Sequence, residues 1–295
     1  MELWMVFTLL AVVMQSVRTA GQKQIAKSIS AQAATLVRYL FGLPFALLYF
    51  YGLQHYYRID SIAPEWTFYR AASLAGISQI FATVFLVKAL SIGNFAVGTA
   101  LSKTEAILTA VIGTLFFAAP LSWAGYASVV IGVAGVLVAS NWKIGLRSLI
   151  TNASILYGLG AGLGLALASL WLRQASLSLD LPRLLSASAV LAYMVGMQTV
   201  ICLVWISIWE RDQLAMIIAR FKACLFIGVT SVAGSIGWFT AMSLQNAAIV
   251  KTLGQTEFVL TLLITYFYFG ERISTRETLG ILLVILSVML LLLVT

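Results

Sequence analysis

The stretch KTLGQTEFVLTLLITYFYFGE, Lys251 to Glu271, sets a glutamate inside a run that would otherwise dissolve in hydrocarbon. An earlier stretch, LSKTEAILTAVIGTLFFA from Leu101 to Ala118, carries its own Thr-Glu pair in the same apolar setting. A charged side chain at mid-span costs about 3 kcal/mol on insertion scales and is kept mainly where it faces a cavity or a partner. Two such glutamates in one chain ask for a common cause.

Composition settles the class. Hydrophobic residues make up 61% of the 295-residue chain and charged residues 9%, with a mean hydropathy of +1.00. A soluble chain carries about a quarter charged residues, so there is too little polar surface here to cover a globule in water. A helix needs about 20 apolar residues to cross a bilayer. Ten runs of that kind can be drawn: 3–21, 31–51, 71–92, 94–117, 122–141, 150–172, 184–209, 223–244, 247–269 and 278–294. Backbone in hydrocarbon must bond internally, and continuous runs without strand alternation point to helices. The expectation is an all-α membrane protein of ten transmembrane helices. Small residues such as GLGAGLGLALAS, Gly158 to Ser169, would let helix backbones approach closely.

Shifting the sequence by 152 positions aligns two regions without a gap. Ala89 meets Ala241, Ser91 meets Ser243 and Asn94 meets Asn246; Leu101 meets Leu253, Thr104 meets Thr256, Glu105 meets Glu257, Thr109 meets Thr261 and Phe117 meets Phe269. Apolar residues coincide by chance, but Asn, Thr and Glu at one offset signal duplication. Residues 1–145 and 146–295 are the two halves on this reading. Five spans per half is odd, so the second copy enters from the opposite face, giving an inverted repeat of the kind secondary transporters use.

Other classes find little support. The first run begins Met1-Glu2 with no basic region, and Arg18 to Lys27 follows in place of a cleavage site, so it reads as a retained span. Cys202 and Cys224 fall in or beside apolar spans and suit packing rather than a disulfide framework or metal site. The lone histidine, His55, lies in the edge-like LQHYYRID. The net charge of +8 is scattered over loops with no basic cluster, which suits membrane anchoring and not nucleic acid. No phosphate-binding glycine loop is evident, and no cofactor is expected. Lys23, Lys27, Lys143, Arg147, Arg211, Arg220, Lys222, Arg272 and Arg276 fall on one side against Arg58, Arg70 and Arg183 on the other. By the positive-inside rule both termini then lie outside the cytoplasm.

The paired halves, the repeated fourth and ninth spans, and YFGERIS (Tyr268 to Ser274) followed by TLGILLVILSVMLLLL (Thr278 to Leu293) resemble the EamA group of the drug/metabolite transporter superfamily. That resemblance covers nearly the whole chain. It implies helices 1 to 4 and 6 to 9 around a central cavity, 5 and 10 packed outside, and both termini in the cytoplasm, against the charge count. Two departures stand out: Gly270-Glu271 has Ala118-Ala119 as its first-half counterpart, and span 1 ends in the polar MQSVRTAGQKQIAK, Met14 to Lys27.

Glu105 and Glu257 are the leading site residues. Ser102, Glu105 and Thr109 share one helical stripe, and Gly254, Glu257 and Thr261 trace its equivalent, placing a hydroxyl near each carboxylate. Lys103, Lys251 and Arg18 are the cations available to them, and a static ion pair is the competing reading. Arg38 and Arg173 lie nearer span ends, where snorkelling to headgroups is expected. Gln79, Gln255 and Trp238 fall inside spans and are candidate lining residues. Asn94 and Asn246 read as turn or capping residues.

Three function classes follow. The first is a secondary transporter in the bacterial inner membrane that moves a small polar or amphiphilic metabolite, such as an amino acid, by alternating access, with protons or by exchange. Its partners are then the small-molecule substrate and membrane lipid, with oligomeric state open. The alternatives are an intramembrane enzyme, for which nucleophile, base and metal are hard to find here, and a non-transporting membrane partner or lipid scramblase.

Overall fold

The computed structural model describes residues 1–25, 28–92, 101–139, 153–269 and 274–293. All thirteen regular elements among them are helices: α1 (Leu3–Ile25), α2 (Ala31–Leu40), α3 (Leu43–Tyr57), α4 (Trp66–Ile92), α5 (Glu105–Phe116), α6 (Trp123–Ala139), α7 (Ala153–Leu177), α8 (Arg183–Trp209), α9 (Asp212–Ala219), α10 (Phe221–Leu244), α11 (Ala247–Leu253), α12 (Thr256–Phe269) and α13 (Thr275–Leu292). Among the described residues six stretches are long and apolar enough to cross a membrane: Ala31–Tyr57, Trp66–Ala89, Ile155–Leu177, Arg183–Trp209, Phe221–Leu244 and Thr275–Leu292. Leu3–Thr19, Glu105–Phe116 and Trp123–Ala139 are shorter apolar helices.

Three runs read from sequence as unbroken are interrupted. The second breaks at Phe41–Gly42, just ahead of Pro44 in the first turn of α3. The fourth is interrupted at Lys103–Thr104 and the ninth at Gly254–Gln255. Propensity does not forbid helix through either of these last two sites; packing decides them.

The helices fall into two compact units, each drawing on both halves of the sequence: Met1–Val84 with Ala168–Gln245, and Phe85–Leu167 with Asn246–Thr295. In the first unit α1 packs along α10, and α8 packs against α2, α3 and α10. Glycine permits the closest approach, since a Cβ on Gly237 would lie 2.5 Å from the Phe7 carbonyl oxygen and 2.8 Å from the Ala11 nitrogen. Ser30 caps α2 by accepting from the Ala33 N–H, and its own N–H donates to Gln213 Oε1 at 2.9 Å, tying that end to α9. Phe68, Tyr69 and Tyr193 stack edge to face, and the Tyr193 and Ser73 hydroxyls are hydrogen-bonded at 2.9 Å.

In the second unit α6 packs along α13. A Cβ on Gly135 would meet the Gly280 carbonyl oxygen at 2.9 Å, and one on Gly280 would meet that of Gly135 at 2.5 Å, so the two backbones touch. Ser287 Oγ donates across the same seam to the Ser128 carbonyl at 2.7 Å. Ala106, Ala110, Val129, Val133 and Ala248 form the apolar core where α5, α6 and α11 meet. Helix α13 opens with a capping box: Ser274 Oγ accepts from the Glu277 N–H, and the Ser274 N–H donates to Glu277 Oε2 at 2.7 Å. Gly270-Glu271, the turn signature read from sequence, lies outside the described residues, as does Asn94.

Candidate functional site

The duplicated Thr-Glu pair marks both helix breaks of the second unit. Where a helix is interrupted, carbonyls lose their partners and must find others. Thr104 Oγ1 donates to the Leu101 carbonyl at 2.7 Å, and Thr256 Oγ1 donates to the Leu253 carbonyl at 2.8 Å. Tight backbone bonds complete each turn, from the Thr104 N–H to Leu101 O and from the Gln255 N–H to Thr252 O, both at 3.1 Å. Repeat-related threonines therefore satisfy repeat-related carbonyls.

Each break also rests on a glycine. A Cβ on Gly162 of α7 would come within 2.8 Å of Thr104 Oγ1 and 3.2 Å of the Ser102 carbonyl oxygen. A Cβ on Gly132 of α6 would strike Gln255 Oε1 and lie 2.6 Å from Ser287 Oγ. The GLGAGLG run of α7 thus serves the close approach its composition implies.

The breaks place both glutamates in the first turn of a new helix, Glu105 in α5 and Glu257 in α12. A helix N-terminus carries partial positive charge and favours a carboxylate by about 0.3–1 kcal/mol. Lys251 sits in the last turn of α11, where the opposite partial charge favours a cation.

The four ions pair crosswise. Lys103 Nζ lies 2.5 Å from Glu257 Oε2, and Lys251 Nζ lies 3.3 Å from Glu105 Oε2. All four side chains are buried. Lys251 lies in the field of Glu105, Lys103 and Glu257 together, so the pairs form one electrically neutral quartet. The cations are not duplicated. Offset by 152, Lys103 corresponds to Gln255 and Lys251 to Thr99.

Several expectations change in detail. Thr109 Oγ1 donates to the Glu105 main-chain carbonyl at 2.7 Å, so its hydroxyl steadies helix rather than carboxylate. The Gln255 side chain is buried, and neither its Nε2 nor its Oε1 has a hydrogen-bond partner. Asn246 behaves as a cap, its Oδ1 accepting from the Ala248 N–H at 2.9 Å while its Nδ2 donates to Ala119 O at 3.2 Å.

The remaining candidates lie in the first unit. Trp238 Nε1 donates to Gln15 Oε1 at 2.8 Å. Gln79 Oε1 accepts from Gln198 Nε2 at 2.9 Å, and that nitrogen also donates to the Gly76 carbonyl at 3.0 Å. Gln15 and Gln198 were missed from sequence; an amide inside a span was the available signal. Arg18 and Arg38 are both buried. Arg38 does not snorkel: its Nη1 donates to Thr83 Oγ1 at 3.2 Å and its guanidinium lies 5.5 Å from the Tyr39 ring centroid. Arg173 likewise turns inward, donating to the Met242 carbonyl at 2.5 Å and to that of Gln245, and so closes the C-terminus of α10.

Residues 2–141 and 152–293 match the EamA-like transporter family in two successive stretches. Among curated proteins no sequence match is found. A solved structure described only as "Crystal structure of protein" aligns over 99% of this chain and 97% of its own, with a TM-score of 0.74 at 13% identity, a likeness of fold alone.

Proposed function

Because the chain belongs to the EamA-like transporter family and is an integral, multi-pass helical membrane protein, we propose that it is a secondary transporter of a small polar or amphiphilic metabolite. An amino acid or a related compound fits this reading. Residues 1–145 and 146–295 are two inverted five-span halves, and ten crossings of a bacterial inner membrane complete the architecture. Alternating access then comes from rocking between states, with the quartet as the element that both states bias.

The observation that carries this reading is the pair of helix breaks with carboxylates in their first turns, each ion-paired crosswise. Discontinuous helices whose ends hold charged groups are the usual substrate and ion sites of secondary transporters. Buried ion pairs add little net stability over apolar packing, so their presence in a span calls for a role beyond it. Here each pair is an exchangeable contact: a proton or a charged group of the cargo takes the place of one member. Gln255, Arg18, Gln79 and Trp238 serve as cargo contacts on the same reading. The chemistry is transport without covalent turnover.

Counterflow in proteoliposomes loaded with candidate metabolites tests it. Glu105→Gln and Glu257→Gln should each reduce flux or remove its pH dependence. The double variant Lys103→Met/Glu257→Gln separates exchange from clamping. A clamp survives removal of both charges; an exchanging pair does not. Flux that persists unchanged across pH in all three folded variants sinks the proposal, and substrate turnover by purified protein would favour an enzyme instead.

A further inference from the structure

A seam of buried polar groups in the first unit joins α2, α4 and α8 and takes no part in the quartet. Arg38, in the last turn of α2, donates through Nη1 to Thr83 Oγ1 of α4 at 3.2 Å. Thr83 gives its own proton to the Gln79 carbonyl at 2.8 Å, so it meets the guanidinium only as an acceptor. Tyr39 stands beside them. Its ring centroid lies 5.5 Å from the guanidinium carbon, and its hydroxyl lies near that of Thr83 without completing a hydrogen bond. One turn back along α4 the Gln79 amide accepts from Gln198 of α8, and Gln198 Oε1 has no partner.

Arg38 carries the charge of this seam. It is 8% exposed, and a guanidinium offers five N–H donors. Among the described residues its Nε and Nη2 donate to none, and no carboxylate pairs with it. The partial negative charge at the end of α2 favours a cation only slightly. A buried charge without a counter-ion is costly, and an anion supplied from outside relieves that cost. The planar edge of Nε and Nη2 matches the two oxygens of a carboxylate, and the hydroxyl of Tyr39, a residue 2% exposed, is a further donor. Charge sets the ligand's class: one guanidinium neutralises a carboxylate, whereas a doubly charged phosphate leaves buried negative charge behind.

We propose that Arg38 and Tyr39, with Thr83 holding the guanidinium in place, form a subsite for a carboxylate. Combined with the transport reading, on which this clause alone rests, the carboxylate belongs to the cargo.

The test measures thermal unfolding of the full-length protein in uncharged detergent. Sodium acetate is titrated against acetamide, its uncharged isostere, and against sodium chloride and sodium phosphate at matched ionic strength, with phosphatidylglycerol added separately in mixed micelles. Acetate should raise the unfolding temperature saturably where acetamide and chloride do not. Arg38→Gln should weaken acetate binding by about tenfold or more, the effect of losing a charge-assisted hydrogen bond, and Arg38→Lys should keep part of it. Without acetate, Arg38→Gln should unfold at or above the parental temperature, because it removes a buried charge that no carboxylate answers. Tyr39→Phe keeps the ring in place and should bind acetate more weakly. The proposal is overturned by no saturable response to acetate, a stronger response to phosphate, a response to phosphatidylglycerol alone, unaltered acetate binding in folded Arg38→Gln, or a fall in that variant's stability without acetate, which marks a structural arginine. Acetate binding that is intact in a protein without flux counts against transport and leaves the subsite standing.

Discussion

The ammonium of Lys103 lies 2.5 Å from Oε2 of Glu257, 154 positions along the chain, although Glu105 stands only two residues away on the same segment. Lys251 makes the reciprocal choice, reaching Glu105 and not Glu257. Each half of the duplicated sequence therefore neutralises the other's carboxylate. Removing one partner of a buried pair leaves a stranded charge and typically costs about 3–5 kcal/mol. Lys103→Met should lower thermal stability in detergent markedly, whereas Lys103→Met/Glu257→Gln should recover most of the loss. A single variant as stable as the parent would show that the pair is open to water.

The repeated threonines give a second expectation. Thr104→Val and Thr256→Val keep side-chain shape but remove the hydroxyl from the Leu101 and Leu253 carbonyls. Thr256→Val should cost about 1–2 kcal/mol, since the Leu253 carbonyl loses its hydroxyl donor, and Thr104→Val less, since the Leu101 carbonyl still accepts from the Thr104 N–H. Thr114→Val makes a poor control, because its hydroxyl also meets that of Tyr126. Denaturant or thermal unfolding that leaves both variants at parental stability would mean that the breaks hold without these bonds.

Glycine positions can be ranked in advance. Gly280→Leu and Gly135→Leu drive a side chain into a facing backbone, an overpacking of at least about 1–3 kcal/mol, and should abolish folded protein on size exclusion. At Gly52 a Cβ would find nothing within 4 Å. Gly52→Ala should be neutral or stabilising by up to about 1 kcal/mol, from helix propensity alone. Equal behaviour of the two classes would contradict the packing described for α6 and α13.

Gln198 offers a fourth test. Its amide serves both Gln79 and the Gly76 carbonyl, so Gln198→Leu should cost about 1–3 kcal/mol and Gln79→Leu less, since Gln79 is only half-buried. A reversed order in thermal unfolding would show that Gln79 is the anchoring member.

Topology is open to a direct measurement. The count of basic loop residues puts the termini outside the cytoplasm, while the family resemblance puts them inside. A reporter fused after Thr295 that is active only in the cytoplasm should be active if the orientation implied by the resemblance holds. An inactive reporter would favour the charge count.

The presence of helical spans, the duplication and the unusual apolar setting of Glu105 and Glu257 were legible because composition and a fixed offset are properties of the chain itself. The breaks were not. Nothing in LSKTE or LGQTE forbids helix, and the interruptions depend on Gly162 and Gly132 lying against them, contacts made by residues about 60 and 120 positions away. Pairing was half legible: Lys103 and Lys251 were among the cations named with Arg18, but which lysine meets which glutamate is set by the fold. Arg38 and Arg173 were expected at headgroups because position along a span was the only information. Their real partners, Thr83 and the end of α10, are tertiary.

The touching backbones of α6 and α13 leave no crevice into which an acyl chain can wedge. Changes in lateral pressure or bilayer thickness must then tilt these two rods as one body, since neither can slide past the interlocked glycines and the Ser287 clasp alone.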